Sequence, residues 1–247
     1  MRAIPPEAIA HAEQEYPRES CGLIVNGEYL PATNIAADPG QHFIMRPADV
    51  RAALMRGEIQ AVVHSHPDYS CQPSEADLAG CEESESPWLI LEVREGKVTE
   101  HHWFEPTGAE APLIGRKFAH GVHDCLSIVL DYYRRELGVD LGQYDRRDNW
   151  WNLGDDLYRQ HLPAAGFERL PEGAQPRTGD VILMQIRSPV PNHAGIFIAD
   201  GLLKTENAGT PVPDCLLHHL PKRLSRRDPY GGYYRETTVG IWRYAKN

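Results

Sequence analysis

Residues 59–80 read IQAVVHSHPDYSCQPSEADLAG, and this segment decides the fold of the first half of the chain. Its apolar start predicts a short buried strand over residues 59–64 that runs directly into His64-Ser65-His66-Pro67. A helix is predicted to begin at Ser74 and to end near Cys81. A buried strand followed by a helix predicts mixed α/β layering for this half.

The two histidines of this segment have the spacing of metal ligands. Side chains alternate along a strand, so His64 and His66 project to the same side and can share one metal ion. Asp77 lies ten intervening residues beyond His66, where a helix can return its carboxylate as a third ligand. Two histidines and one carboxylate leave a position open for water, which is the arrangement of a catalytic zinc site. Ser74 is then placed to donate a hydrogen bond to a developing oxyanion.

The alternative interpretation of the same residues is purely local structure. Ser74-Glu75-Ala76-Asp77 also fits a capping box, with Ser74 at the N-cap and the acid at N3. His64 and His66 are then ordinary loop residues. The joint spacing of all four residues favours the metal site.

Further elements surround this segment. Helices are predicted over residues 7–16 and 47–56, a hairpin over 21–25 and 28–30, and strands over 87–95 and 97–104. Asn26-Gly27 is typical of the tight turn that joins two such hairpin strands. No periodicity survives in residues 105–112, which are predicted to be a linker between a domain over 1–106 and a domain over 112–247.

The second half contains a candidate nucleophile. Cys125 begins an amphipathic run that Gly138 ends, which predicts a helix over 125–137. Exposed N–H groups at a helix start stabilise a thiolate, and an imidazole oriented by a third polar group completes such a nucleophile. The alternative is that Cys125 is a buried small apolar residue. One helix over 154–161 and strands over 181–186, 193–199 and 239–244 complete an α+β pattern.

The composition is that of a packed protein whose charge is concentrated in one half. Hydrophobic residues make up 41% of the 247 residues, and the formal net charge is −10. Residues 1–108 hold 18 acidic and 7 basic side chains, a net charge of −11, whereas the remainder has a net charge of +1. The asymmetry predicts two independent domains. The acidic half argues against nucleic acid as a partner, because phosphate binding needs clustered positive charge.

Targeting signals and disulfides are not expected. No stretch of about 18 apolar residues is present, so no membrane span is predicted. The start of the chain, MRAIPPE, lacks the apolar core of a signal peptide, which predicts folding in the cytoplasm. Five cysteines without a regular framework predict free thiols. Cys71 and Cys81 flank the histidine segment and are predicted to be structural.

Residues 1–105 resemble the JAMM (MPN+) metalloproteases. The defining positions of that family are matched by His64, His66, Ser74 and Asp77. The resemblance extends to residues 17–23, where Glu19 stands at the position of the family's general acid/base. It implies a JAMM/MPN-like α/β sandwich that holds Zn²⁺ and hydrolyses a peptide or isopeptide bond with zinc-activated water.

Cys125, residues 178–182 and residues 192–197 resemble the core of NlpC-type cysteine peptidases. The resemblance implies a papain-like α+β domain in which Cys125 is the nucleophile and His193 is the base. The family's third polar residue usually follows the histidine by about twelve positions, where Thr205 stands.

A second segment competes for the third position. Leu-Leu-His-His at residues 216–219 is similar to the family's motif but comes later in the chain. We interpret residues 204–214 as part of an insertion and assign His218, with Thr205 as the alternative. His219, His101 and His102 are predicted to be surface histidines.

Residues 217–220 and 224–233 resemble the end of the tail-tip assembly protein K family of lambda-like phages, which joins a JAMM domain to an NlpC domain in this order. The resemblance implies a tail hydrolase whose thiol half cleaves peptidoglycan stem peptides, at the γ-D-glutamyl-diaminopimelate bond, and whose metal half acts on a tail protein or the wall. Tail-tip proteins are the implied partners. The implied location is the host cytoplasm during assembly, with the virion tail tip as a second one.

Two other functions remain open. One is a structural tail-assembly factor whose active sites are dispensable, and the other is a cellular JAMM isopeptidase with an appended domain. The basic side chains near the C-terminus are either a solvated turn or a contact for anionic wall peptide or an acidic tail partner. They are Lys222, Arg223, Arg226 and Arg227.

Overall fold

The computed structural model describes residues 2–142, 144, 150–207 and 209–245. The chain divides into two compact units, Met1–Glu110 and Ala111–Asn247, and each contains its own sheet. Within the described ranges, no helix is both long enough and apolar enough to cross a membrane.

The first unit is a five-stranded sheet with three helices. The strand order is β2-β1-β3-β4-β5, in which only β3 and β4 pair in parallel. The elements are α1 (Pro6–Glu15), β1 (Cys21–Val25), β2 (Glu28–Ala32), α2 (Pro47–Leu54), β3 (Ile59–Pro67), α3 (Glu75–Ser84), β4 (Trp88–Arg94) and β5 (Lys97–Phe104). A parallel pair needs a crossover, which α3 supplies between β3 and β4.

Local sequence explains most of these boundaries. Pro6 occupies the first turn of α1, where its missing N–H costs nothing. Asn26 and Gly27 both adopt positive φ, which gives the predicted tight turn between β1 and β2. Ser74 caps α3 through a complete capping box with Asp77.

The helices of the first unit lie on both faces of the sheet. Ala8 and Ala12 of α1 pack against one face, together with Val63 and Leu89. The opposite face contacts α2 and α3 through residues that include Trp88 of β4. This arrangement is the α/β sandwich expected from the sequence.

Strand β3 is longer than predicted. The sequence indicates an end at His64, but β3 continues to Pro67 because its register with β4 pairs His66 with Glu92 and Pro67 with Val93. Both histidines of the candidate metal site therefore belong to the central part of the sheet.

The second unit is a six-stranded antiparallel sheet with order β10-β9-β8-β7-β11-β6. Its elements are α4 (Cys125–Leu137), a short 3-10 helix (Trp150–Leu153), α5 (Leu157–Ala164), β6 (Phe167–Arg169), β7 (Val181–Met184), β8 (His193–Ile198), β9 (Cys215–His218), β10 (Arg226–Pro229), α6 (Tyr233–Thr237) and β11 (Thr238–Tyr244). Helix α5 begins three residues later than predicted, since Asp156 caps it by accepting from the Arg159 amide. Strands β6, β9 and β10 and helix α6 were not predicted.

Helix α4 is held on the sheet by its apolar stripe. Ile128 and Tyr132 are buried in the same core as Ala194 and Ile196 of β8 and Leu217 of β9. The packing fixes the start of α4, where the candidate nucleophile lies. The α+β class predicted from the sequence is confirmed.

Candidate active sites

The first site is formed by β3 and the first turn of α3. The Nε2 atoms of His64 and His66 lie 3.1 Å apart, because alternate residues of a strand share a face. Asp77 brings Oδ1 to 3.1 Å from Nε2 of His64 and Oδ2 to 3.5 Å from Nε2 of His66. All three residues are buried, and their potential ligand atoms lie within 4.8 Å of one another.

The donor set fits a divalent cation such as zinc. Nδ1 of His66 donates to the Ser70 carbonyl oxygen at 2.6 Å, which leaves the lone pair on Nε2 for a ligand. Nε2 of His64 converges on the same point, and Nδ1 of that ring has no hydrogen-bond partner within the described residues. Two imidazole nitrogens and one carboxylate, buried together, match the ligands of a catalytic zinc site.

The capping box and the candidate ligand set share one residue. Oδ2 of Asp77 accepts from the Ser74 amide at 2.7 Å, and Oγ of Ser74 accepts from the Asp77 amide. Burial alone would raise the pKa of Asp77, but the neighbouring His64 and His66 rings and the Ser74 contact outweigh it and hold the pKa well below its usual value. The cap therefore fixes an ionised carboxylate next to the two rings.

Glu19 is buried just before β1, close to this site. The Ser20 amide donates to Oγ of Ser65 at 2.8 Å, and this bond holds the Glu19 segment against β3. Burial raises the pKa of Glu19, although the neighbouring His64 opposes the shift. A carboxyl group in this environment is suited to proton transfer.

Tyr69 is a site residue that the sequence did not indicate. Its hydroxyl donates to Oε1 of Glu19, and its ring stacks on His66 with centroids 4.3 Å apart. The only sequence signal is its place three residues after His66, in a loop whose path could not be derived from periodicity.

The two flanking cysteines lie near the first site without joining the ligand set. The Cys71 thiol lies close to carboxylate oxygens of Glu92 and Glu100. Glu92 is already engaged, because it accepts from the Cys71 amide and from Arg94. Cys81 is buried in the α3 face of the core. All five cysteines of the chain are free thiols in the structure, as expected.

The second site begins at Cys125, the first residue of α4. The carboxylate of Asp124 caps this helix by accepting from the Leu126 and Ser127 amides, which orients the turn that carries the thiol. Sγ of Cys125 lies 3.3 Å from the Tyr158 hydroxyl. Cys125 is half-buried in a pocket of about 250 Å³. The other lining residues include His193, Trp150, Trp151, Tyr158, Ile186 and Arg187.

A hydrogen-bonded chain extends from His193 away from the pocket. Nε2 of His193 lies 2.9 Å from Nδ1 of His218, and Nε2 of His218 lies 3.2 Å from Oδ2 of Asp228. Burial lowers the pKa of His193 well below its usual value, and the nearby His218 and His219 lower it further. Burial also lowers the pKa of His218, although Asp228 opposes this shift.

The two candidates for the third polar position have different surroundings. His218 contacts His193 directly, whereas the Thr205 hydroxyl donates to Oε1 of Glu136 at the end of α4. The backbone amide of Thr205 donates to the same carboxylate oxygen. The structure thus places His218 beside His193 and engages Thr205 elsewhere.

The surface position expected of His219 is wrong, and the solvated-turn interpretation of the basic segment does not describe all four of its cations. His219 is fully buried, with its ring against Phe118 and its Nε2 donating to the Arg223 carbonyl oxygen. Arg226 and Arg227 are not simply solvated: Arg226 pairs with Asp228, and Arg227 donates to the carbonyl oxygens of Gly201 and Thr210. The C-terminal basic segment therefore contributes two of its four cations to internal contacts.

Comparison with known families defines the class of protein. Residues 2–104 match the family described as prokaryotic homologs of the JAB domain, and residues 115–243 match the NlpC/P60 family. The protein thus combines a JAB-type unit with an NlpC/P60 unit, in that order, as the sequence predicted.

Relatives over nearly the whole chain define the family. The tail tip assembly protein K of Escherichia phage N15 is 38% identical over 242 residues, covering 96% of this chain and 92% of the relative. The tail tip assembly protein K of Escherichia phage lambda is 38% identical over 201 residues, covering 81% of this chain and 89% of the relative. The chain belongs to the tail tip assembly protein K family, which confirms the resemblance found in the sequence.

Solved structures match only part of the chain. A protein from Desulfitobacterium hafniense is 22% identical with a TM-score of 0.31, covering 40% of this chain and 84% of that protein. A JAB1/MPN domain protein from Archaeoglobus fulgidus is 21% identical with a TM-score of 0.27, covering 43% of this chain and 85% of that protein. Because both scores are low, the family assignment rests on the sequence matches.

Proposed function

We propose that this protein is a phage tail assembly hydrolase with two independent centres, one thiol-dependent and one metal-dependent. Its relatives are named tail tip assembly proteins, which supports a role in tail assembly with other tail-tip proteins. The proposed location of this role is the host cytoplasm. The observation that carries the enzymatic proposal is the chain from His193 through His218 to Asp228, next to a pocket that contains Cys125.

In the thiol centre, Cys125 attacks a peptide carbonyl and forms an acyl-enzyme. His193 accepts the thiol proton and returns it to the leaving amine, after which water releases the acyl group. His218 orients the imidazole of His193 through the 2.9 Å hydrogen bond.

Peptidoglycan stem peptides are the proposed substrate of the thiol centre. The pocket has apolar walls, which include Trp150 and Trp151 and can pack against the aliphatic parts of a peptide. The exposed guanidinium of Arg187 lines the same pocket and is suited to the carboxylates that such peptides carry. The proposed bond is γ-D-glutamyl-diaminopimelate.

In the metal centre, His64, His66 and Asp77 are the proposed ligands of Zn²⁺. Bound zinc supplies Lewis-acid polarisation of a carbonyl and an activated water at neutral pH. Glu19 is the proposed proton carrier to the leaving amine, held by the Tyr69 hydroxyl. Ser74 accepts from the Asp77 amide, so its own hydroxyl proton can be donated to a developing oxyanion. The substrate is a peptide or isopeptide bond in a tail protein or the wall.

An assay on purified cell wall distinguishes the activities of the two proposed centres. Wall cleavage by the wild type, measured by zymogram and release of stem peptides, is expected to survive a chelator and to stop after alkylation. Cys125→Ser is expected to abolish cleavage, whereas Glu19→Gln is expected to retain it. Loss of wall cleavage on chelation alone would assign the wall activity to the metal centre.

The third residue of the thiol centre is tested in the same assay. His218→Ala is expected to reduce turnover more than Thr205→Ala, because only His218 contacts His193. The reverse order would move the orienting role to Thr205. Phage complementation distinguishes an enzyme from a structural assembly factor. Full infectivity of phage that carries Cys125→Ser and Glu19→Gln would indicate a structural factor whose active sites are dispensable.

A further inference from the structure

Asp228 is the acceptor for three donors at the end of the imidazole chain. Oδ2 lies 3.2 Å from Nε2 of His218 and accepts from the Tyr234 hydroxyl at 2.7 Å. Oδ1 accepts from Nε of Arg226 at 2.6 Å. The carboxylate is buried, and the Tyr234 ring also meets the His218 ring edge-on with centroids 4.8 Å apart.

The strand pairing explains why these groups meet. Strands β9 and β10 are antiparallel, and Arg226 is directly opposite His218 while Asp228 is opposite Leu216. Arg226 and Asp228 are two residues apart on one strand and therefore share a face with each other. Helix α6 follows β10 almost at once and brings Tyr234 to the same carboxylate.

The three donors determine the protonation pattern of both histidines. An ionised carboxylate only accepts, so the proton of neutral His218 must be on Nε2. Nδ1 of His218 then carries a lone pair and must accept from Nε2 of His193. The remaining nitrogen of His193, Nδ1, is left without a proton and can accept one from a thiol.

The carboxylate stays ionised in this setting. Burial would raise the pKa of Asp228, but the hydrogen bonds from Tyr234, Arg226 and His218 outweigh it and lower the net pKa. The guanidinium of Arg226 supplies the compensating charge that a buried carboxylate needs.

We propose that Asp228 is a positioning residue of the thiol centre, which selects the His193 tautomer able to accept the Cys125 proton. This inference rests on the proposed thiol-dependent function. Asp228 acts through His218 and does not itself touch the nucleophile.

Asp228→Asn tests the assignment because it changes the donor pattern with little change in size. If the NH₂ group of the new asparagine faced Arg226, a donor would meet a donor. The amide oxygen is therefore expected to face Arg226, and the NH₂ group is expected to face His218 and Tyr234. Nε2 of His218 must then accept. Nδ1 of His218 then carries the proton and donates to Nε2 of His193. The proton of His193 is thereby moved to Nδ1, where it blocks proton transfer from the thiol.

Kinetics on a stem peptide give the first measurement. For Asp228→Asn we expect kcat to fall by at least about tenfold with KM within about twofold, because positioning residues affect the chemical step. Asp180→Asn is the matched control, since Asp180 is also a buried carboxylate paired with an arginine, Arg243, but has no contact with the imidazole chain among the described residues. The control is expected to lower thermal stability and to keep kcat.

Nitrogen-15 NMR of labelled histidines gives a second measurement that needs no substrate. In the wild type, His218 and His193 are both expected to carry their protons on Nε2. This measurement tests the proposal even if the Asp228→Asn variant fails to fold. A proton on Nδ1 of His193 in the wild type, or an unchanged kcat in folded Asp228→Asn, would overturn the inference. A wild type that has the expected tautomers but cleaves no peptide would instead count against the proposed function.

Discussion

The proposed thiol centre leads to a quantitative prediction about alkylation of the five cysteines. Treatment of the folded protein with iodoacetamide at pH 7.5 is expected to label Cys125 long before the other four. Cys125 is half-buried in an open pocket at the start of a helix, whereas Cys21, Cys71, Cys81 and Cys215 are buried. The same reagent therefore meets two very different classes of thiol in one chain.

The size of the difference follows from burial. Burial raises the pKa of Cys81 and Cys215 to about 11 and that of Cys21 to about 12. A thiol with a pKa of about 11 is roughly 0.03% thiolate at pH 7.5, against about 10% for an ordinary exposed thiol of pKa about 8.5. Because the thiolate is the nucleophile, the difference in thiolate fraction alone corresponds to about 300-fold in rate; the greater intrinsic nucleophilicity of a high-pKa thiolate offsets part of this, and limited access adds to it.

Peptide mapping by mass spectrometry over a time course measures the five rates separately. Labelling in urea is the control, where all five thiols are expected to react at similar rates. His193→Ala is expected to slow labelling of Cys125 in the folded protein, because the proton acceptor is removed. Labelling of Cys215 or Cys81 as fast as Cys125 in the folded protein would refute the reasoning.

Three further predictions concern the metal centre and the buried histidines. The purified protein is expected to hold about one zinc per chain by elemental analysis, which His66→Ala loses and Cys71→Ser keeps; stoichiometric zinc in the His66→Ala variant would contradict the ligand assignment. Glu19→Gln is expected to retain zinc and to lose the metal-dependent activity, whereas loss of zinc would make Glu19 a ligand or a structural residue. Burial lowers the pKa of His219 to about 4, so below pH 6.5 the unfolded chain binds a proton that the folded state excludes. The contribution of His219 to stability is then fully present above pH 6.5 and falls by about 1.5 kcal/mol between pH 6.5 and 5, and His219→Gln should remove that part of the slope measured by urea unfolding.

The grouping of the three candidate metal ligands is predictable from the sequence because their spacing is set by local structure. The spacing of His64 and His66 places both rings on one face of any strand, and Asp77 lies at a position fixed by its own helix cap. Tyr69 was not predictable in the same way, since a loop tyrosine reaches Glu19 only through the path that β1 and β3 impose.

The position of Asp228 next to His218 depends on the pairing of β9 with β10, which no local sequence pattern predicts. Strands β9 and β10 are only four residues long, and Arg226-Arg227-Asp228-Pro229 lacks the apolar alternation that indicates a strand. Its partner β9 is bonded to β8, so β10 adds to an edge that the rest of the sheet creates. Asp228 could therefore be seen in the sequence but not placed next to His218. The burial of His219 is likewise not visible in a local pattern, because its ring is covered by Phe118, which is distant in the sequence.

The capping box in α3 shows why two interpretations of one motif need not compete. Sequence reasoning treats Ser74 and Asp77 either as a helix cap or as parts of a metal site. In the structure the Ser74 amide donates to Oδ2 of Asp77, and this bond restricts the rotation that would carry the carboxylate away from the histidines. The cap thus reduces the entropy that a flexible ligand would lose on binding a metal. A residue pattern that explains the helix start also explains how the carboxylate is held in place, so the local interpretation supports the functional one.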